Sequence, residues 1–297
     1  MIIPKESHNI INLKVEEKEI KLKDFLNNKM NISSRLFKKL IRQKNIFINN
    51  KPLSNEFYVY SNDIITIKFE KEQNVYKPQK MDLNVIYEDV DVIAIDKEPN
   101  ILVHPTKNHP QNTLTNGIAY YFKKNNIDKK VRLVNRLDMD TSGILIVAKN
   151  SYAHGQMADQ FKNTITKKYI AVVKGVVKEN KGIINLPLMK STEGIKQVVD
   201  KNGKESVTEF EVIERFKDVT IVSLKIVTGR THQIRVHLSY LGHPIIGDSL
   251  YSEESDFISR QALHSYYLKF NRVRDKNEIE LKSDFPYDIK SLIEKVK

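Results

Sequence analysis

Residues 135–149 read NRLDMDTSGILIVAK. The second half, Ile144 to Lys149, is a short apolar run rich in β-branched residues, and Thr141, Ser142 and Gly143 precede it as turn formers. With Leu133 to Leu137 ahead of that turn, the pattern predicts two strands flanking a tight turn. Asp138 then stands at the mouth of the turn, where the first strand ends. A carboxylate on a strand end, backed by an apolar strand, is rigid and partly desolvated. The same residues also suit an Asx-turn, in which Asp138 or Asp140 only accepts from a following backbone N–H.

Outward from this stretch, strands dominate from Asp82 onward. Asn84 to Tyr87 and Val92 to Lys97 flank a turn at residues 88–91, and Lys168 to Lys174 alternates with Tyr169, Ala171 and Val173 on one face. Glu205 to Phe216 and Val219 to Thr228 form a predicted hairpin about Lys217 and Asp218. Helical spacing covers Thr113 to Asn125, Ser151 to Asn163 and Thr231 to Leu241. Strands and helices do not alternate strictly, so the fold class is α+β with a mixed, mostly antiparallel sheet flanked by helices.

A second polar cluster, TGRTHQIRVH at residues 228–237, follows a buried strand and opens a helix. Gly229 allows the tight turn, Thr228 or Thr231 can cap, and a helix N-terminus attracts anions. His232 and His237 lie about 140° apart round a helix, which argues against a shared metal. The chain has no Cys, which excludes disulfides, thiolate catalysis, iron–sulfur clusters and Cys-based zinc sites.

The 297 residues carry 49 Lys+Arg against 37 Asp+Glu, a formal charge of +12. Residues 1–77 hold 15 basic and 9 acidic residues, so about a quarter of the chain carries half of the excess. Within it, KMNISSRLFKKLIRQK at residues 29–44 contains no acid. Ser33 or Ser34 can cap a helix there, with Leu36, Phe37, Leu40 and Ile41 facing a core. Arg35, Lys38, Lys39 and Arg42 recur at i, i+3, i+4 and i+7 on one side. A solvated helix face mixes signs, so these four read as a nucleic-acid contact, against the plainer reading of a Lys-rich surface helix. Ile46 to Ile48, the turn Asn49-Asn50-Lys51 and Asp63 to Phe69 follow as a β element. Polar residues 70–81 read as a linker, giving an N-terminal module over 1–69 and a larger domain over 82–297.

Two resemblances follow. Residues 12–69 resemble the S4 RNA-binding module, with Asn49-Asn50 and Asn62-Asp63 where that family usually has Asn-Gly and Gly-Asp. NRLDMDTSGILIVAK and GRTHQIRVHLSYLGHPIIGD (residues 229–248) resemble the RluA-type RNA pseudouridine synthases. LVHPT with NTL between Leu102 and Leu114, KKYIAVVKG (residues 167–175) and QALHSYYLKF (residues 261–270) add three further motifs in order. Asn135 departs from the His-Arg-Leu-Asp common in that family.

The second resemblance implies isomerisation of uridine in structured RNA, most readily large-subunit (23S) ribosomal RNA, with no cofactor and no metal. It places the catalytic aspartate at Asp138, its arginine partner at Arg230, and a base-stacking tyrosine at Tyr169 whose hydroxyl could assist removal of the C5 proton. Leu263 would pack the other face of the base, and Arg136 would enter the gap the flipped base leaves or touch phosphate. His232, Gln233 and Arg235 would line the pocket or the phosphate track, with Thr141 supporting Asp138 through its hydroxyl. A non-catalytic RNA-binding protein with a relict enzyme domain is the alternative, and paired carboxylates at Asp138 and Asp140 raise a glycosidase, although such pairs usually come from separate segments. No apolar run exceeds five residues and MIIPKESHNI lacks signal-peptide regions, so a cytoplasmic protein with no membrane partner is expected. A monomer is the default expectation.

Overall fold

The computed structural model describes residues 3–53, 57–192 and 194–297. The N-terminal decapeptide is therefore described from its third residue. The N-terminal part runs β1 (Ile10–Lys14), β2 (Glu19–Lys21), α1 (Leu22–Met30), α2 (Ser34–Arg42), β3 (Ile46–Ile48), β4 (Lys51–Pro52), β5 (Tyr58–Tyr60) and β6 (Ile64–Lys68). Ser33 caps α2, its hydroxyl accepting from the Leu36 N–H, and Phe37 and Leu40 are buried on the inner face. Asn49 and Asn50 both take positive φ (50° and 68°) in the β3–β4 turn. Asn adopts that region more readily than most residues, so the turn forms without Gly.

The larger part runs β7 (Asn84–Glu88), β8 (Val92–Lys97), α3 (Leu114–Lys124), β9 (Arg132–Leu133), β10 (Ser142–Ala148), α4 (Ser151–Asn163), β11 (Thr166–Lys174), β12 (Lys181–Asn185), β13 (Leu188–Lys190), β14 (Gln197–Val199), β15 (Val207–Arg215), β16 (Val219–Ile226), α5 (Gln233–Tyr240), β17 (Leu263–Asn271), β18 (Glu278–Lys282) and α6 (Tyr287–Val296). Its main sheet has ten strands in the order β12-β15-β16-β11-β17-β10-β8-β7, with β18 on β17 and β9 on β10. All its pairings are antiparallel except β10 with β17. The α+β class therefore holds.

Both faces of β10 are covered, which explains its unbroken apolar run. Leu145 and Val147 point into a core with Ile118 and Phe122 of α3. Ile144, Ile146 and Ala148 point the other way, into one continuous core with Phe25, Phe37 and Ile65 of the N-terminal part. Period-2 alternation thus splits one strand between two cores.

The N-terminal part is tied down by polar bonds as well. Arg274 donates to Ile10 O (2.9 Å) and Ser7 O (2.6 Å) while paired with Asp91 (2.8 Å), and Tyr152 Oη donates to Met30 O (3.0 Å). Residues 70–81 carry no regular structure but lie strapped to the larger part. Lys129 Nζ donates to Phe69 O and Glu70 O, and Arg132 pairs with Glu72 at 2.6 Å.

The expected strand Leu133 to Leu137 does not form. The backbone ladder with β10 ends on the Val134 N–H, which donates to Ile146 O (2.9 Å), and residues 135–141 are irregular. Asn135 replaces strand pairing with its side chain, accepting from Ile146 N–H (2.8 Å) and donating to Ile144 O (3.3 Å). Asp138 therefore stands in a loop braced on β10, not on a strand end.

The parallel contact of β10 with β17 needs Gly143. Its φ is 111°, and a Cβ there would collide with the Ser265 backbone. Gly143→Ala is expected to destabilise the protein by about 3 kcal/mol or more, through strain and steric clash together; urea denaturation measures this. Beside it, His264 lies between the Ser142 and Ser283 hydroxyls (2.9 and 3.0 Å). Burial pushes its pKa down to about 4 from the ordinary 6.5. Below pH 6.5 the unfolded chain binds this proton and the native state resists it, so stability falls with acid until about pH 4. Urea midpoints measured from pH 7 to pH 4 should fall more steeply for the wild type than for His264→Gln.

Candidate active site

A cavity of about 420 Å³ opens where the 134–141 loop, β11, the start of α5 and the start of β17 converge. That volume is in the range of small-molecule sites. Asp138 lies on its wall, its side chain 23% exposed, with Oδ2 3.3 Å from Arg235 Nη1. Arg235 is buried and held from behind by Asp248 in a bidentate pair, Nε to Oδ2 and Nη2 to Oδ1, each 2.7 Å. Asp248 is fully buried and also accepts from the Leu250 and Tyr251 N–H groups. The Tyr251 ring faces the guanidinium at 5.1 Å. Burial opposes the charge on Arg235, but the hydrogen bonds and charge of Asp248, and then Asp138, outweigh it and hold the guanidinium pKa above its usual value.

Arg230, expected to pair with Asp138, does not. It is exposed at the cavity edge and donates Nε to Glu205 O at 3.0 Å. The reason lies in the backbone. His232 takes φ 53° at the N-cap of α5, so the chain reverses before the helix begins. That reversal turns Arg235, one turn into the helix, toward Asp138. Neither Thr228 nor Thr231 caps α5; the Thr228 hydroxyl donates to Gln233 Oε1 instead (2.9 Å).

Gln233 lines the cavity, but its polar atoms are committed. Nε2 donates to Val207 O and Thr208 Oγ1 (both 3.0 Å), and Oε1 also accepts from Arg230 N–H (3.0 Å). It ties α5 to β15, so it lines the cavity with an amide already bonded within the protein. His232 shares a 2.8 Å hydrogen bond with Tyr251 Oη, and its Nε2 is 3.9 Å from Asp138 Oδ2, beyond hydrogen-bond range. Burial lowers its pKa, the Asp138 charge opposes this and Arg235 adds to it.

Tyr169 and Leu263 form the apolar wall, each under a tenth exposed. Tyr169 sits at a bulge, where the β11–β17 register shifts between Lys168 and Ile170; bulges re-aim side chains. Burial pushes its hydroxyl pKa up to about 12, with a hydrogen bond to Ser265 opposing and the charge of Asp138 adding. Arg136 is exposed at the rim. Thr141 is buried, and its hydroxyl accepts from Gln261 Nε2 (3.2 Å) and makes no bond to the Asp138 carboxylate. Its support is through the backbone, Thr141 N–H donating to Asp138 O (3.2 Å).

Sequence reading missed the braces behind this loop. Buried Lys97 donates to Met139 O (2.7 Å), Glu98 O (2.8 Å) and Ile101 O (3.1 Å). Buried Arg260, paired with Asp288, donates to Asp140 O (2.9 Å). A lysine ending an apolar strand reads as solvent-facing, so nothing local marks Lys97. Asp248 stood inside a quoted motif without a role. Phe161, Lys162 and Lys167 also line the cavity. Among the described residues, no three His, Asp or Glu side chains converge as metal ligands do.

The mixed sheet thus carries a carboxylate–arginine–carboxylate chain and a buried tyrosine beside one cavity, with cations at its rim. The family model described as RNA pseudouridylate synthase matches residues 91–240, which hold Asp138, Tyr169 and Arg235. The chain belongs to this family, whose members are isomerases. An uncharacterized RNA pseudouridine synthase of Bacillus subtilis (strain 168), YlyB, is 35% identical over 291 residues, 95% of this chain and 96% of that protein. Ribosomal large subunit pseudouridine synthase D of Haemophilus ducreyi is 33% identical over 256 residues, 80% of this chain and 78% of that protein. The solved structure of human RNA pseudouridylate synthase domain containing 1 superposes with a TM-score of 0.58 at 32% identity, over 69% of this chain and 84% of that one.

Removing Arg235 leaves Asp248 buried without its cation. Arg235→Ala is expected to cost about 3–5 kcal/mol of stability, whereas Arg230→Ala, at an exposed site, costs about 1 kcal/mol or less. Equal losses in chemical denaturation would overturn the assignment of Arg235 as the structural partner of both carboxylates.

Proposed function

We propose that this enzyme isomerises specific uridines of large-subunit ribosomal RNA to pseudouridine, with Asp138 as its catalytic carboxylate and no cofactor, acting as a monomer in the cytoplasm. The observation that carries the reading is the Asp138–Arg235–Asp248 chain facing Tyr169 across one cavity. The name of the Haemophilus ducreyi relative supports the ribosomal substrate.

The reaction breaks N1–C1′, turns the base and joins C5 to C1′; C5 loses a proton and N1 gains one. Nothing is oxidised. The Asp138 carboxylate either attacks C1′ or takes the C2′ proton, and Arg235 fixes its rotamer for both routes. Tyr169 supplies ring surface. With its hydroxyl pushed up to about 12 it stays protonated at neutral pH, so it is a poor base for the C5 proton. Leu263 packs beside it. A uridine within structured RNA must leave its stack, at a cost of a few kcal/mol, and Arg136 at the rim is placed to fill the gap or hold a phosphate. The N-terminal part acts as an S4-like RNA-binding domain through Arg35, Lys38, Lys39 and Arg42, all exposed on α2. None of the four is in an ion pair with a described acid. Phosphate contacts of this kind position RNA and add salt dependence.

Asp138→Asn is expected to abolish isomerisation while RNA affinity stays within a few fold. Tritium release from 5-tritiated uridine in RNA, with filter binding alongside, measures both. Turnover near the wild-type rate would falsify the assignment.

A further inference from the structure

Between α2 and α4 lies a groove of about 490 Å³ that no catalytic role explains. Arg35 and Lys39 line one wall; Gly155, Gln156 and Asp159 of α4 line the other. The width of the groove is set, because Tyr152 Oη donates to Met30 O and Gln156 Nε2 donates to Asn31 O (3.2 Å) across its floor. The far end of the same helix reaches the active-site cavity, where Phe161 and Lys162 form part of the lining. From Gly155 to Lys162 is seven residues, about 10 Å of helix. Groove and cavity are thus two stations on one straight element.

Gly155 is the second observation. It sits mid-helix, exposed, and a Cβ built on it would meet nothing within 4 Å. Glycine weakens a helix interior, and here no packing demands it. Its other use is to let a ligand approach the backbone closely. The charge of the walls suits an anion. Arg35 and Lys39 pair with no described acid, and Lys276 adds a cation beside Gln156, its Nζ donating to Oε1 (3.4 Å). The opposing acid, Asp159, accepts from Asn163 Nδ2 (2.9 Å).

We propose that this groove seats the phosphodiester backbone of the RNA segment flanking the target uridine, with Gly155 as the point of close approach. The strand then runs along α4 from the α2 cations to Lys162 at the cavity. This deepens the reading above and rests on its RNA substrate.

The test is filter binding of unmodified, in vitro transcribed large-subunit ribosomal RNA by the full chain carrying Gly155→Leu, Gly155→Ala or the pair Arg35→Ala with Lys39→Ala. Both Gly155 substitutions favour the helix and place their Cβ where nothing lies within 4 Å, so melting temperatures should stay close to or above that of the wild type. Gly155→Leu is expected to raise Kd at least fivefold, with Gly155→Ala smaller in the same direction. The double substitution should raise Kd and flatten the plot of log Kd against log salt by about 1.4–1.8, the loss of two phosphate contacts. Wild-type Kd in Gly155→Leu, or a wild-type salt slope in the double variant, overturns the groove. Binding that follows this pattern without any tritium release from wild-type enzyme leaves the groove standing and overturns the synthase reading instead.

Discussion

Arg235 is the point at which two distant parts of the chain, the 134–141 loop and residues 235–248, meet. Its guanidinium is shared between Asp248, which takes two of its nitrogens, and Asp138, which takes the third. The planar fork of arginine makes this possible; a lysine, as a point charge on a flexible stem, cannot hold two carboxylates in fixed directions. Burying the cation is costly, and Asp248 offsets most of that cost with its own buried charge. Asp138 is therefore paired with a cation whose position is already settled by another residue. The aspartate does not have to organise its own partner.

The loop carrying Asp138 has no regular structure, yet buried side chains hold it from behind. Lys97 and Arg260 reach from below and donate to the carbonyls of Met139 and Asp140, the two residues after the aspartate. Asn135 fixes the approach to the loop on β10, and Gly143 lets the exit lie directly against β17. Carbonyl dipoles satisfy the Lys97 ammonium in the interior, although burial still pushes its pKa down to about 8, with Asp140 opposing. A functional side chain on a loop is precise only when its neighbours are locked by such contacts.

The N-terminal part sets the other end of the molecule. Its core runs on into the face of β10 and β8, and Arg274 and Tyr152 hold its backbone. The basic face of α2 consequently stands at a set offset from the cavity beside Asp138, along the line of α4.

The sequence alone was enough for the class of fold, the strands β7, β8, β11, β15 and β16, and the helices α2 to α4. Those features rest on local periodicity or a short motif. The short strands β13 and β14, together with β17, β18 and α6, were not legible: β13 and β14 are only three residues each and carry no clear alternation. Nor could the motif GRTHQIR say which of its two arginines meets the aspartate. That choice hangs on the left-handed backbone at His232 and on Asp248, thirteen residues after Arg235, neither of which has a local signature. Nor could the motif show that the Gln233 amide, at the cavity wall, is already bonded to β15. Chemistry-bearing residue types are visible in one dimension; which of them face one another is decided by chain reversals and by buried charges that must find partners, and only the tertiary structure supplies those.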